Sequence, residues 1–201
     1  MSALLSGLGL GFSLIMAIGA QNAFILKQGL KQQYVFWVCL ICSLSDTILI
    51  YLGVTGFSKI LNSYPDIIVY SKYFGSAFLF IYGAQNFYSA LTQNSVLRPS
   101  LIDKSSLMNV VGVCLALTWL NPHVYLDTVI LIGSISISFK ENLHSFTLGV
   151  MFASWLFFFA LGYGARFLSP LFNKKISWQI LDFIMGIIMW SISYGLIFLK
   201  L

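Results

Sequence analysis

Charge is what this 201-residue chain has least of: Asp, Glu, Lys and Arg together make up 8% of it. A soluble domain carries about a quarter, so water is not the solvent for most of this surface. Nucleotide and hydrolase signatures are missing as well. There is no G-x-x-x-x-G-K, no G-x-S-x-G and no H-E-x-x-H, which argues against an ATP-driven pump, a nucleophile-elbow hydrolase and a zinc peptidase. Cysteines number three, too few for a disulfide framework. Cys39 and Cys42 form a C-x-x-C, but both lie one turn apart inside an apolar run, where buried thiols are inert; Cys114 reads the same way. No connection is long enough to hold a soluble domain.

Basic residues exceed acidic ones by eleven to six, yet they are scattered singly through short connections. That pattern excludes a nucleic-acid face and suggests topology signals instead. Connections one, three and five hold Lys27, Lys31, Arg98, Lys104, Arg166, Lys174 and Lys175, against Lys59, Lys72, Lys140 and Lys200 on the other side. Seven to four predicts both termini outside the cytoplasm.

Apolar residues, at 59%, are what the chain has in abundance. A membrane-spanning helix needs roughly 20 of them in a row, and six segments reach that length: about 3 to 26, 34 to 58, 67 to 91, 107 to 138, 143 to 166 and 178 to 199. The fold class expected is therefore an all-α membrane protein with six transmembrane helices and the lipid bilayer as its main partner. The first segment lacks a basic n-region and is read as a span rather than a cleaved signal.

Two of the six segments are interrupted. Gly19-Ala20-Gln21-Asn22 breaks the first, and Trp119-Leu120-Asn121-Pro122 breaks the fourth. Pro122 has no amide hydrogen to give the carbonyl of Thr118, so the helix must kink or unwind and turn freed carbonyls inward. Polar, partly unwound backbone survives at membrane depth only where it faces protein or lines a watery cavity. Six spans in two sets of three make the second set enter the membrane from the opposite side. The chain then reads as a single transmembrane domain, residues 1–201, with inverted repeats at about 1–91 and 107–201 and a linker at about 92–106. Helices one and four are broken near Asn22 and Asn121, with the helix breaks at Gly19 and Pro122. Matched breaks in inverted repeats mark a central transport site. Gly7, Gly9 and Gly11 are expected to allow close helix packing.

Asp46 and Asp127 stand inside apolar runs, where an ionised carboxylate costs about 2.5 to 3.5 kcal/mol even on the generous insertion scale. Such residues face a bundle interior or cavity. Each is a candidate for substrate binding or proton coupling; the plainer reading is a carboxylate held by neighbouring Ser and Thr hydroxyls. His123 is spaced i, i+4 from Asp127 and shares its helix face, either as a packed group beside the break or as a substrate or proton ligand. Two ligands do not make a metal site, so no metal and no cofactor are expected. Asp182, four residues after Trp178, is expected near a membrane interface, answering Lys174, Lys175 or Arg166.

At this point the chain becomes recognisable by resemblance. Gly11-Phe12-Ser13-Leu14-Ile15-Met16-Ala17-Ile18-Gly19-Ala20-Gln21-Asn22-Ala23-Phe24 with Gln28-Gly29-Leu30, and Thr118-Trp119-Leu120-Asn121-Pro122-His123-Val124-Tyr125-Leu126-Asp127-Thr128, closely resemble the two signatures of the lysine/arginine exporter family. Ser45-Asp46, residues 161–166 and residues 178–182 look like that family too. The resemblance implies a bacterial cytoplasmic-membrane exporter of basic amino acids, driven by the membrane potential or a proton gradient, and not an enzyme. On that reading Asp46 and Asp127 bind the ammonium or guanidinium group and carry the coupled proton. Amides freed near Asn22 and Asn121, with Gln21 and His123 alongside, hold the rest of the substrate. Export of neutral amino acids or small cations is the alternative, with a metal-dependent membrane hydrolase or a structural membrane protein behind it. A homo-oligomer is left open.

Overall fold

A computed structural model describes residues 3–16, 19–57, 66–92, 106–172 and 174–198. The linker expected around Arg98, with Asp103 and Lys104, lies outside the described residues, as do Lys59 and Lys200. All regular structure among the described residues is helical. In chain order there are α1 (Ala3–Ile15), α2 (Ala20–Lys31), α3 (Val35–Leu52), which runs on as a π-helical turn over Gly53–Phe57, and α4 (Asp66–Thr92). Then come α5 (Leu107–Trp119), α6 (residues 122–136), α7 (Leu143–Gly164) and α8 (Lys175–Phe198). Two 3-10 stretches, Ile137–Asn142 and Ala165–Phe172, precede and follow α7.

Lipid offers no hydrogen bonds to the backbone, so apolar sequence of this length satisfies itself as helix. Three helical stretches are long and apolar enough to cross a membrane: Val35–Gly56, Pro122–Phe172 and Lys175–Phe198. Helices α1 and α2 pass the same test together, bent by 83° at the break between them. Helix α4 has 27 residues, about 40 Å at 1.5 Å per residue, but mixes Lys72, Ser76, Gln85 and Asn86 into its apolar sequence.

Small residues decide how the helices cross. Gly7 of α1 lies under the carbonyl of Phe146, and Gly149 of α7 lies under the carbonyl of Leu4. A Cβ at either glycine would run into backbone, so α1 and α7 approach as only small residues allow. Gly11 continues the seam against Ala153, whereas Gly9 faces open space. Helices α4 and α8 pair through a different device: Phe80 stacks on Trp190 at 5.1 Å, the Trp190 indole donates to the Phe80 carbonyl, and the hydroxyls of Ser76 and Ser193 meet at 2.9 Å. Between these pairs the core collects Phe24, Ile25, Val38, Leu117, Phe158, Met185 and Met189. The outer faces carry exposed Tyr73, Phe152, Ile180 and Tyr194, the apolar surface a lipid-facing protein presents.

Two sequence expectations fail together. Asp182 is not an exposed charge: it is 1% exposed, and its Oδ1 lies 2.6 Å from the ammonium of Lys27, a partner other than the three basic residues expected. Lys27 correspondingly does not belong to a connection, because α2 continues past it to Lys31. Counting the first span from residue 3 without the bend ended it too early. With Lys27 inside α2 and Lys72 inside α4, the count of basic residues in the connections falls from seven against four to six against three.

Candidate functional site

The first break is made by Gly19, whose extended backbone (φ −121°, ψ 174°) starts α2 and which has no side chain to cap it. It falls three residues before Asn22, so Asn22 sits in the first turn of the new helix. From there its side-chain amide donates back across the break to the carbonyl of Ile15, at 2.8 Å. That bond takes up one carbonyl orphaned by the end of α1. Gln21 beside it is 8% exposed, and its side chain reaches the Cys42 thiol.

The second break is built the other way round. Asn121 adopts an extended conformation (φ −92°, ψ 108°), and its side-chain oxygen accepts from the backbone N–H of His123, capping a helix that begins with Pro122. The expectation that freed carbonyls turn inward needs correction. The Trp119 carbonyl is taken by the Tyr125 hydroxyl at 2.6 Å, and the Leu120 carbonyl backs onto Gly75 of α4. The amides near Asn121 are also less available than expected. Pro122 has none, that of His123 is capped, and that of Val124 bonds the Asn121 carbonyl. A helix start whose N-cap residue supplies no side-chain cap is thus a feature of the first break among the described residues.

Both breaks open onto one cavity of about 340 Å³. Gly19, Ala20, Gln21 and Asn22 line one side, and Asn121, His123, Asp127 and Thr128 another. Asp46 reaches it from α3, and Phe158 and Ile192 add apolar wall. Of the residues singled out in the sequence, Gln21, Asn22, Asp46, Asn121, His123, Asp127 and Gly19 all meet here; Pro122 is buried just behind.

The two carboxylates differ. Asp46 is 6% exposed, and Ser154 of α7 donates to its Oδ2 at 2.9 Å. Asp127 is exposed, in the π-helical part of α6. The reading in which neighbouring hydroxyls hold Asp46 gains no support from Ser45 and Thr47. Ser45 accepts from the Trp119 indole at 3.2 Å. Thr47 donates to the Ser43 carbonyl and accepts from the Trp155 indole at 3.0 Å. Ser154 was missed in the sequence, where a lone serine in an apolar helix carries no signal and its partner is 108 residues away. Cys42 and Cys114 bring their sulfurs to 3.2 Å in the core, and Cys39 contacts the Phe158 carbonyl.

A volume of this size is that of a small-molecule site, and broken helices, buried and exposed carboxylates and apolar walls around it define a membrane-embedded translocator. Residues 12–199 match the family model described as LysE type translocator. The chain belongs to that family. Among similar proteins is the "Arginine exporter protein ArgO" of Pectobacterium carotovorum subsp. carotovorum (strain PC1), 38% identical over 193 residues, 96% of this chain and 95% of the relative. Another is the protein of the same name from Escherichia coli (strain K12), 37% identical over 191 residues, 94% of this chain and 90% of the relative. No solved structure matches the chain. With bacterial relatives and several apolar helices, this is a multi-pass protein of the bacterial inner membrane.

Proposed function

We propose that the chain exports basic amino acids from the cytoplasm, with arginine the first substrate to test and lysine the second. The observation that carries this reading is the convergence of Asp46, Asp127 and the uncapped start of α2 on one arginine-sized cavity. Relatives named as arginine exporters support it over nearly the full length. The substrate's α-carboxylate docks at the α2 N-terminus, where amide hydrogens and the helix dipole favour an anion. The Gln21 side-chain amide, which borders the cavity beside that terminus, is a further donor for it. The guanidinium or ammonium pairs with Asp46, which Ser154 holds in place, while Asp127 attracts the cation at the exposed side of the cavity.

Six spans in two inverted repeats, divided at a linker of about residues 92–106, account for two broken helices meeting at one site, and rocking one repeat against the other would expose it alternately. Protonation of Asp46 or Asp127 on the outer side releases the cation, which couples export to the proton gradient; the membrane potential adds to the drive on a cationic substrate. The protein acts as a carrier, without covalent chemistry and without a metal, as a monomer or a homo-oligomer. The test is efflux from cells preloaded with labelled arginine, lysine or leucine, with and without the protein. Faster loss of arginine and lysine, and not of leucine, is expected. Equal acceleration of leucine efflux would assign the protein to neutral amino acids instead.

A further inference from the structure

Away from the cavity, three polar side chains from three helices meet in the core. The Lys27 ammonium lies 2.6 Å from Asp182 Oδ1 and donates to Asn86 Oδ1 at 2.9 Å. The Asn86 amide nitrogen is tied to the Tyr82 carbonyl, which fixes its oxygen towards the cation. Asp182 is 1% exposed, Asn86 3% and the Lys27 side chain 12%. A fixed amide oxygen and a buried carboxylate facing one mostly buried ammonium make a cation site, and its present occupant is tethered to α2.

The placement relates this site to the cavity. Along α2 it lies five residues beyond Asn22, about 8 Å, and along α8 it lies ten residues before Ile192, about 15 Å. Both helices therefore lead from the cavity to it. Beside the ion pair, Phe24 lies edge-on to Tyr82 at 6.3 Å and Phe78 stacks on Tyr82 at 5.9 Å, and it is the Tyr82 carbonyl that holds Asn86. The side in question is that of connection one, which the count of basic residues places in the cytoplasm. Aromatic cluster and ion pair thus lie on the side from which an exported substrate must arrive.

A buried ion pair is weak support for stability, because well-packed apolar residues in its place are often as good or better. Retaining one is understandable where the pair must also open. When Lys27 leaves, the carboxylate of Asp182 needs another cation, and a basic side chain on its way to the cavity is a group of matching charge and donor chemistry. Resting on the function proposed above, we propose that Asp182 and Asn86 form a second substrate-cation site, occupied by Lys27 while the path is closed and by the substrate's basic group as it opens.

Arginine transport by purified protein in proteoliposomes tests this, with KM and kcat separated for the wild type, Lys27→Met, the double variant Lys27→Met/Asp182→Leu, and Asp46→Asn. Lys27→Met leaves Asp182 free to hold the substrate, so KM and kcat should both fall about tenfold, the equivalent of 1.4 kcal/mol of tighter retention. The double variant leaves no charge unpaired and should assemble; its kcat should fall at least about tenfold with KM raised, since the way station is gone. A double variant with wild-type kinetics, or a Lys27→Met protein with KM within about twofold of wild type, would overturn the second site. Should Lys27→Met fail to assemble, the double variant alone decides. If the wild type itself moves no arginine, the function fails; loss of transport in Asp46→Asn with an unchanged double variant sinks only the second site.

Discussion

Replacing Asp46 by Asn removes one charge from the cavity and almost nothing else. The volume is conserved, and the Ser154 hydroxyl that donates to Asp46 Oδ2 at 2.9 Å can donate equally to the amide oxygen. Membrane insertion should therefore be normal. Substrate binding should not be. Two unit charges at 4 Å attract by about 4 kcal/mol at an effective dielectric constant of 20, and a charge-assisted hydrogen bond to a buried partner is worth about 1.5 to 3 kcal/mol. Asp127 remains and recovers part of the attraction, so a loss of about 2 to 4 kcal/mol is expected, a weakening of arginine binding by roughly 30- to 700-fold. Equilibrium binding of labelled arginine to detergent-solubilised wild type and variant measures this directly. Citrulline, in which a neutral urea replaces the guanidinium, should bind both proteins equally weakly. Binding of arginine by a normally inserted Asp46→Asn protein within about threefold of wild type would refute the pairing and leave Asp127 as the sole anionic partner.

Other expectations follow from the same contacts. A carboxylate must be ionised to attract the substrate, so arginine affinity should fall as pH drops through the titration of the site; a pH series should show the fall in wild type and a flatter profile in Asp46→Asn. Asn121→Ala removes the cap on the His123 amide and should lower thermal stability by about 0.5 to 2 kcal/mol, read in a detergent melt, with export reduced because the break loses its geometry. Gly75→Ala drives a methyl group against the Leu120 carbonyl; overpacking of about 1 to 3 kcal/mol should depress efflux more than membrane content, compared by immunoblot. Cysteines placed near Arg98 should be labelled from the cytoplasm and not from outside, and labelling in intact cells by an impermeant reagent would reverse the assigned orientation.

What could be read from the sequence was whatever depends on local chemistry. Proline without an amide hydrogen and glycine before two polar residues announce helix breaks wherever the rest of the chain goes, so the positions around Asn121 and, within three residues, Asn22 were legible. A carboxylate in an apolar run announces itself similarly, which is why Asp46 and Asp127 could be named. Ser154 could not, because only the approach of α7 to α3 gives it meaning. The pairing of Asp182 with Lys27 is hidden from the sequence for a geometric reason: counting apolar residues in a straight line ignores an 83° bend. That bend leaves α2 running on to Lys31, with Lys27 inside it facing α8. The asymmetry of the two breaks, one without a side-chain cap and one capped, is likewise a matter of side-chain direction that spacing does not encode.

Counterflow with purified protein asks whether the cavity carries a basic amino acid. Proteoliposomes loaded with unlabelled arginine should accumulate labelled arginine from outside, and external lysine should inhibit the uptake while citrulline and leucine do not. Absence of arginine counterflow from a correctly inserted protein, or inhibition by leucine as strong as that by lysine, would contradict it.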